Sequence, residues 1–262
     1  MEMLGDRTWK TYYSLERERR REEMEVKARS LWELPDPEVD RVVARGGALS
    51  FPHTYLDGSF MPLFRAVRAV HRSGKAKVVA LGVVHDPDKD PEMFEFSLDG
   101  LSFILVLVEE SLGQDRIALT RQFITRDRNR TSIGDIVKDL EAKGRALRPM
   151  LDEDTVLMVT GDLLHYGHGY GTAAPSEDPS HFEGMVKGDL DLLYRKKDHI
   201  GYYQSARRNM NDQAVVGVTL STALGAPLDY DIYSMEMTDY SDVLGKERPT
   251  LVASVFYGVH SV

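Results

Sequence analysis

Apolar and polar positions recur along this chain in two periods, and the switches between them locate the elements. From about residue 8 to 34 charge dominates. Leu15-Glu16-Arg17-Glu18-Arg19-Arg20-Arg21-Glu22-Glu23 sets acids against bases at helical spacing, which supports i, i+4 pairs. A sparse stripe of Trp9, Tyr12, Tyr13, Met24, Leu31 and Trp32 gives this helix a face for docking on a body, with an oligomer contact as its sharper use. Pro35-Asp36-Pro37 predicts the helix end, because proline and the residue before it resist α geometry. From residue 46 the pattern changes. Ala48 to Phe51 predicts a short strand. Phe60, Leu63, Phe64, Val67 and Val70 fall 3 and 4 apart, the mark of an amphipathic helix over 59–71, with Gly74 as its stop. Lys77 to Val84 is apolar on both faces, as buried parallel strands are. Further strands are predicted at 103–108, 155–160 and 251–259. Helices are predicted from a Ser132 cap through Leu147, near 181–195, and near 212–224.

Strands alternating with helices argue for an α/β fold. The expected architecture is a single domain with a mostly parallel or mixed central sheet flanked by helices. It divides into an N-terminal helical extension over 1–45 and the α/β domain proper over 46–262. No internal repeat or low-complexity tract interrupts it.

Composition narrows the chemistry. A net charge of −9 argues against a general nucleic-acid or anionic-membrane surface. The chain has no cysteine, which removes disulfides, thiolate catalysis and cysteine-bound zinc. No apolar leader opens the sequence, and no apolar stretch approaches the roughly 18 residues a membrane span needs, so a cytoplasmic location is expected.

Metal-competent side chains gather just past the predicted strands. His53 follows Phe51-Pro52. His85-Asp86 follows the strong strand at 78–84, a placement unlike the helical His-Asp pair of the HD phosphohydrolases. Asp162 and His165 stand in Thr160-Gly161-Asp162-Leu163-Leu164-His165-Tyr166-Gly167 and would point the same way if a helical turn began there. Glu236, Asp239 and Asp242 supply carboxylates before the last strand, and composition does not choose among them. In an α/β fold the carboxyl ends of strands border the crevice used for chemistry. Two imidazoles and a carboxylate meeting there suit a divalent metal. His165 is the candidate general acid/base, since imidazole as a class exchanges a proton near neutral pH, with Asp162 beside it. His71, His181, His199 and His260 read as surface or packing residues. There is no Gly-x-Ser-x-Gly elbow, Walker loop or His-Glu-x-x-His motif.

The order of these segments resembles the MEMO-like family, the B component of the AmmeMemoRadiSam set, which is similar in fold to the class III extradiol ring-cleavage dioxygenases. The family's Pro-His-Ala-Gly-Tyr stretch looks like Pro52-His53-Thr54-Tyr55-Leu56. Its Gly-Pro-Ser-His strand end resembles Gly82-Val83-Val84-His85. Its Ser-Ser-Asp-x-x-His-Trp/Tyr-Gly box resembles Thr160 to Gly167, the most specific match. Its tail looks like Tyr240-Ser241-Asp242-Val243 followed by Ser254-Val255-Phe256-Tyr257-Gly258. The resemblance implies His53, His85 and Asp242 as metal ligands and His165 as the imidazole acting on substrate or dioxygen. It implies Fe(II) as the favoured cation, with Zn(II) or Cu(II) as alternatives. The family's Asp-Glu-His-Ser-x-Glu-x-His segment has no counterpart in 109–124, which contains no histidine. The expected function is therefore a metal-binding, dioxygenase-like protein with a small-molecule or peptide ligand. The alternatives are a non-catalytic binding module for a peptide or small anion and a metal-dependent hydrolase.

Overall fold

In a computed structural model describing residues 6–53, 56–84, 97–127, 129–172, 179–225, 227–244 and 248–262, the short apolar runs are strands that lie side by side. β1 (Ala48–Phe51), β2 (Lys77–Val83), β3 (Ala118–Ile124) and β4 (Thr155–Thr160) are mutually parallel in the order β3-β2-β4-β1. The last strand, β7 (Thr250–Ser261), runs antiparallel to β1. One edge of β7 carries β1 against 257–259 and β5 (Leu164–Gly167) against 250–253. Its other edge carries β6 (Leu228–Asp239). The result is a seven-stranded mixed sheet.

Both faces of the sheet are covered, which is why Val78–Leu81 of β2 and Val156–Val159 of β4 are apolar throughout. Val78, Ala80, Val156 and Met158 look to one face, with α2 (Pro37–Ala44), α3 (Leu56–Arg72) and α4 (Asp99–Leu112) packed against it. Val79, Leu81, Leu157 and Val159 look to the other, beneath α5 (Ile133–Leu147), α6 (Pro179–Leu190), α7 (His199–Arg208) and α8 (Val216–Leu224). The N-terminal helix α1 (Asp6–Leu31) inserts Met24 and Ala28 into the first of these cores. It also clasps the start of α3: both carboxylate oxygens of Glu16 accept the Leu56 backbone N–H, at 2.9 and 3.0 Å, and Arg20 pairs with Asp57. These layers form one mixed α/β domain.

Several boundaries differ from the sequence expectation for physical reasons. The expected strand at 103–108 is the middle of α4. Six apolar residues fit either element, but Leu101, Ile104, Leu107, Val108 and Ser111 bury one helical face, and left-handed Gly113 ends it. The expected helix at 181–195 is α6 followed by a π turn at Asp191–Arg195. α2, α7, β3, β5 and β6 were not expected. In β6 a bulge between Ile232 and Ser234 shifts the alternation from Leu228, Tyr230 and Ile232 to Met235 and Met237, which hides a 12-residue strand. The Ser132 cap forms as expected, accepting the Asp135 N–H at 3.1 Å.

Candidate metal centre

Phe51 and Thr160 are register partners at the ends of β1 and β4, so the segments that follow leave the sheet together. Pro52 turns the first outward and delivers His53. The second passes through Gly161, at φ +144°, and delivers Asp162. Thr160 Oγ1 lies 3.3 Å from His53 Nδ1, and the Gly161 N–H donates to Phe51 O at 3.2 Å. No helical turn begins at Asp162. The chain enters β5 instead, with His165 as its second residue.

A third segment completes the group. Between α7 and α8, Asn209-Met210-Asn211-Asp212 forms a tight turn with Met210 at φ +51°. The Asp212 N–H donates to Asp162 O at 3.0 Å, and the Asp162 N–H donates to Asp212 Oδ2 at 3.3 Å. The next residue, Gln213, is fully buried beneath the turn. Its Nε2 donates to Ser50 Oγ and Gly161 O, at 2.7 and 2.9 Å, and its Oε1 accepts from Tyr257. From the other side, the buried Asp189 accepts from Asn209 Nδ2 at 3.1 Å and Asn211 Nδ2 at 3.5 Å.

These turns converge on one point. His53 Nε2 lies 3.1 Å from Asp212 Oδ2 and 3.8 Å from Asp162 Oδ2. One ligand atom from each of His53, Asp162 and Asp212 lies within 4.8 Å of the others, close enough to share a cation. All three are poorly hydrated, with side chains 8%, 4% and 12% exposed respectively. Asp162 Oδ1 is buried without a hydrogen bond; the Ser254 hydroxyl is near enough to favour its charged form but is not aligned to it. A buried acceptor left unmatched is costly, and a cation would satisfy it.

The electrostatics follow from this crowding. Burial pushes the Asp162 carboxyl up to about 6; Asp212 adds to the rise, while His53 and His165 oppose it. Burial alone would lower the His53 pKa, but the Asp162 and Asp212 carboxylates outweigh it and raise it above the usual imidazole value. His165 Nδ1 lies 2.7 Å from Met210 O. A carbonyl only accepts, so that nitrogen carries the proton in the neutral ring. This leaves Nε2, 3.6 Å from Asp212 Oδ2, as the open base. Tyr170 packs edge-on against His165 with ring centres 4.9 Å apart. Burial, with Asp212 and Asp162 behind it, pushes the Tyr170 phenol up.

A cavity of about 530 Å³ opens onto this group, lined also by Tyr13, Tyr170, Tyr240, Arg207 and several valines. Of the residues singled out by sequence, His53, Asp162 and His165 are brought together here. His85 lies outside the described residues. The expected third ligand, Asp242, is not in the group: its side chain is 82% exposed and pairs with Arg248. Glu236 is exposed on β6. Asp239 Oδ1 accepts the backbone N–H groups of Ser241 and Thr250, at 2.9 and 3.1 Å, closing the turn into β7. The second carboxylate found beside His53 and Asp162 is Asp212. Asp212 stands at the start of the helix predicted near 212–224, and an aspartate at a helix start carries no sign of metal binding. The only signal was the density of turn formers from Asn209 to Asp212. His199, bonded to Glu141 at 2.9 Å and Ser221 at 3.1 Å, resembles a nucleophile relay, but Ser221 is fully buried and donates to Leu193 O, so the trio ties helices together.

No family model matches the chain, and no curated protein does. Among solved structures, it is similar to an uncharacterized protein from Escherichia coli K12, at 14% identity and a TM-score of 0.43, over 82% of this chain and 99% of that one. No described helix is long and apolar enough to cross a membrane. The buried, convergent donor set composed of His53, Asp162 and Asp212 is a group able to hold a metal ion.

Proposed function

We propose that this is a MEMO-like metal-binding protein, with a divalent cation held by His53, Asp162 and Asp212, that acts on a small molecule admitted to the adjoining cavity. One observation carries the reading: three ligand atoms within 4.8 Å of one another, one belonging to a carboxylate whose other oxygen is buried without a partner. Two carboxylates beside one imidazole make a mixed oxygen and nitrogen donor set open to several divalent cations, and Fe(II) is the form the dioxygenase-like resemblance favours. The cation would supply Lewis acidity to a substrate oxygen. The chain supplies the rest. Met210 O fixes the His165 tautomer so that Nε2 faces the acidic group and can take up or return a proton. Tyr170 shields that ring on one side.

The test is metal analysis of protein isolated without chelator, beside the double variant Asp162→Asn, Asp212→Asn. We expect one cation per chain in the native protein and loss of it in the variant. Stoichiometric binding that survives both substitutions would refute the site. In Fe(II)-loaded protein, dioxygen uptake with an oxidisable phenol supports an oxygenase, and ligand binding without uptake supports a non-catalytic module.

A further inference from the structure

Among the described residues the cavity wall carries two carboxylates, the imidazoles of His53 and His165, three phenols, apolar side chains and one arginine. Arg207 lies in the last turn of α7 and lines the cavity, yet it makes no ion pair or side-chain hydrogen bond among the described residues. Other arginines of this fold are already committed: Arg65 and Arg68 to Asp36, Arg195 to Asp229, and Arg20 to Asp57. Arg207 also begins the turn that ends at Asp212: the Met210 N–H donates to Arg207 O at 3.4 Å. Its backbone is therefore tied to the same framework as the candidate metal ligands. On the same cavity wall, Val83, Val215 and Val252 give an apolar surface, and Tyr170 and Tyr240 give aromatic ones. The volume of about 530 Å³ falls in the range typical of small-molecule pockets.

We propose that this cavity binds a small organic oxyanion, a carboxylate or phosphate ester on an apolar body, with the anionic end on Arg207 and the body along the valines and tyrosines. The proposal names the substrate class of the metal site described above and rests on that reading for the ligand's reacting end. Guanidinium offers a planar pair of N–H donors that fits either oxyanion, and charge-assisted bonds of this kind are the strong ones. Arg207 adds positive charge to a cavity that also holds the Asp162 and Asp212 carboxylates.

Calorimetric titration of metal-free and metal-loaded protein with benzoate, phenyl phosphate, benzamide and inorganic phosphate tests it. We expect benzoate or phenyl phosphate to bind at least about tenfold more tightly than benzamide and than inorganic phosphate, which lacks the apolar body. The tighter of the two identifies the oxyanion. Arg207→Gln should weaken both by about tenfold or more, and Arg207→Lys should keep part of the affinity. Equal affinity for benzamide, unchanged affinity in Arg207→Gln, or binding by none of the four overturns the proposal. Failure of the metal site alone appears separately, as absent metal uptake with the anion preference intact in the metal-free protein. Melting temperatures of the variants report folding; Arg207 is exposed and its side chain has no partner among the described residues, so both variants should melt as the native chain does.

Discussion

His53 Nε2 lies 3.1 Å from Asp212 Oδ2, joining the end of β1 to a turn from the far side of the chain. Asp162 lies against the same imidazole at 3.8 Å. In the metal-free protein this is a proton-holding group. Burial keeps the Asp162 carboxyl at about 6, and the two carboxylates, overriding burial, hold the His53 ring above its usual value. A cation requires the opposite protonation: Asp162 charged and His53 neutral.

Both titrations therefore push cation affinity the same way. Below about pH 6, Asp162 gains a proton and His53 keeps one, so binding must displace two protons. Above that pH Asp162 is already charged, and above the raised His53 pKa no proton is left to displace. Affinity should rise with pH through and beyond 6. Competition against a chelating indicator dye between pH 5 and 8 measures it. An affinity that is flat across the range would contradict ligation by these groups.

Asp189 should govern the site without touching it. Burial pushes its carboxyl up, and Ser205, Asn209 and Asn211 pull back. Two of those partners belong to the turn that presents Asp212. Asp189→Leu would leave the Asn209 and Asn211 amides unmatched in the interior, which costs about 1–3 kcal/mol for each group. We expect a lower urea midpoint together with weaker metal binding, because the Asp212 carboxylate loses its fixed position. Asp189→Asn, which keeps an acceptor oxygen, should recover part of both. A fall in stability with metal affinity unchanged would show that the turn is held by Gln213 alone.

The parts of this fold that were legible in the sequence are those fixed by local pattern. Val78–Leu81 and Val156–Val159 announced central strands because burial on both faces leaves no polar position. Phe60 to Val70 announced α3 for the matching reason in a helix. His53, Asp162 and His165 were legible because they follow such strands directly. What was hidden depends on contacts distant in sequence. Glu16 caps a helix that begins 40 residues later. The apolar run inside α4 is helical where it packs in one core with α3 and β2. Asp212 gains its meaning only when Asp162 bonds to its backbone, and neither residue's neighbours in sequence encode that pairing.

Gly161 is where that pairing is most exposed to mutation. Its φ of +144° is one that L side chains rarely adopt, and an added Cβ would stand 2.7 Å from Gln213 Cγ and 3.2 Å from Asp212 Cβ. Gln213 cannot give way easily, since its amide is bonded to Ser50, Gly161 and Tyr257. Gly161→Ala therefore combines backbone strain with a clash against a fixed side chain, together about 2–4 kcal/mol. Gly171→Ala is the matched control: φ is +69°, but nothing lies within 4 Å of the added carbon, so only the left-handed strain of about 1–2 kcal/mol applies. Urea unfolding of the two variants should differ by the steric part. Metal titration should separate them further, because relief of the clash at Gly161 must move Asp162 or Asp212, whereas Gly171 presses on neither. Equal loss of stability in the two variants, with metal affinity intact in both, would mean that the turns at 161 and 212 yield independently and that their juxtaposition does not position the cation.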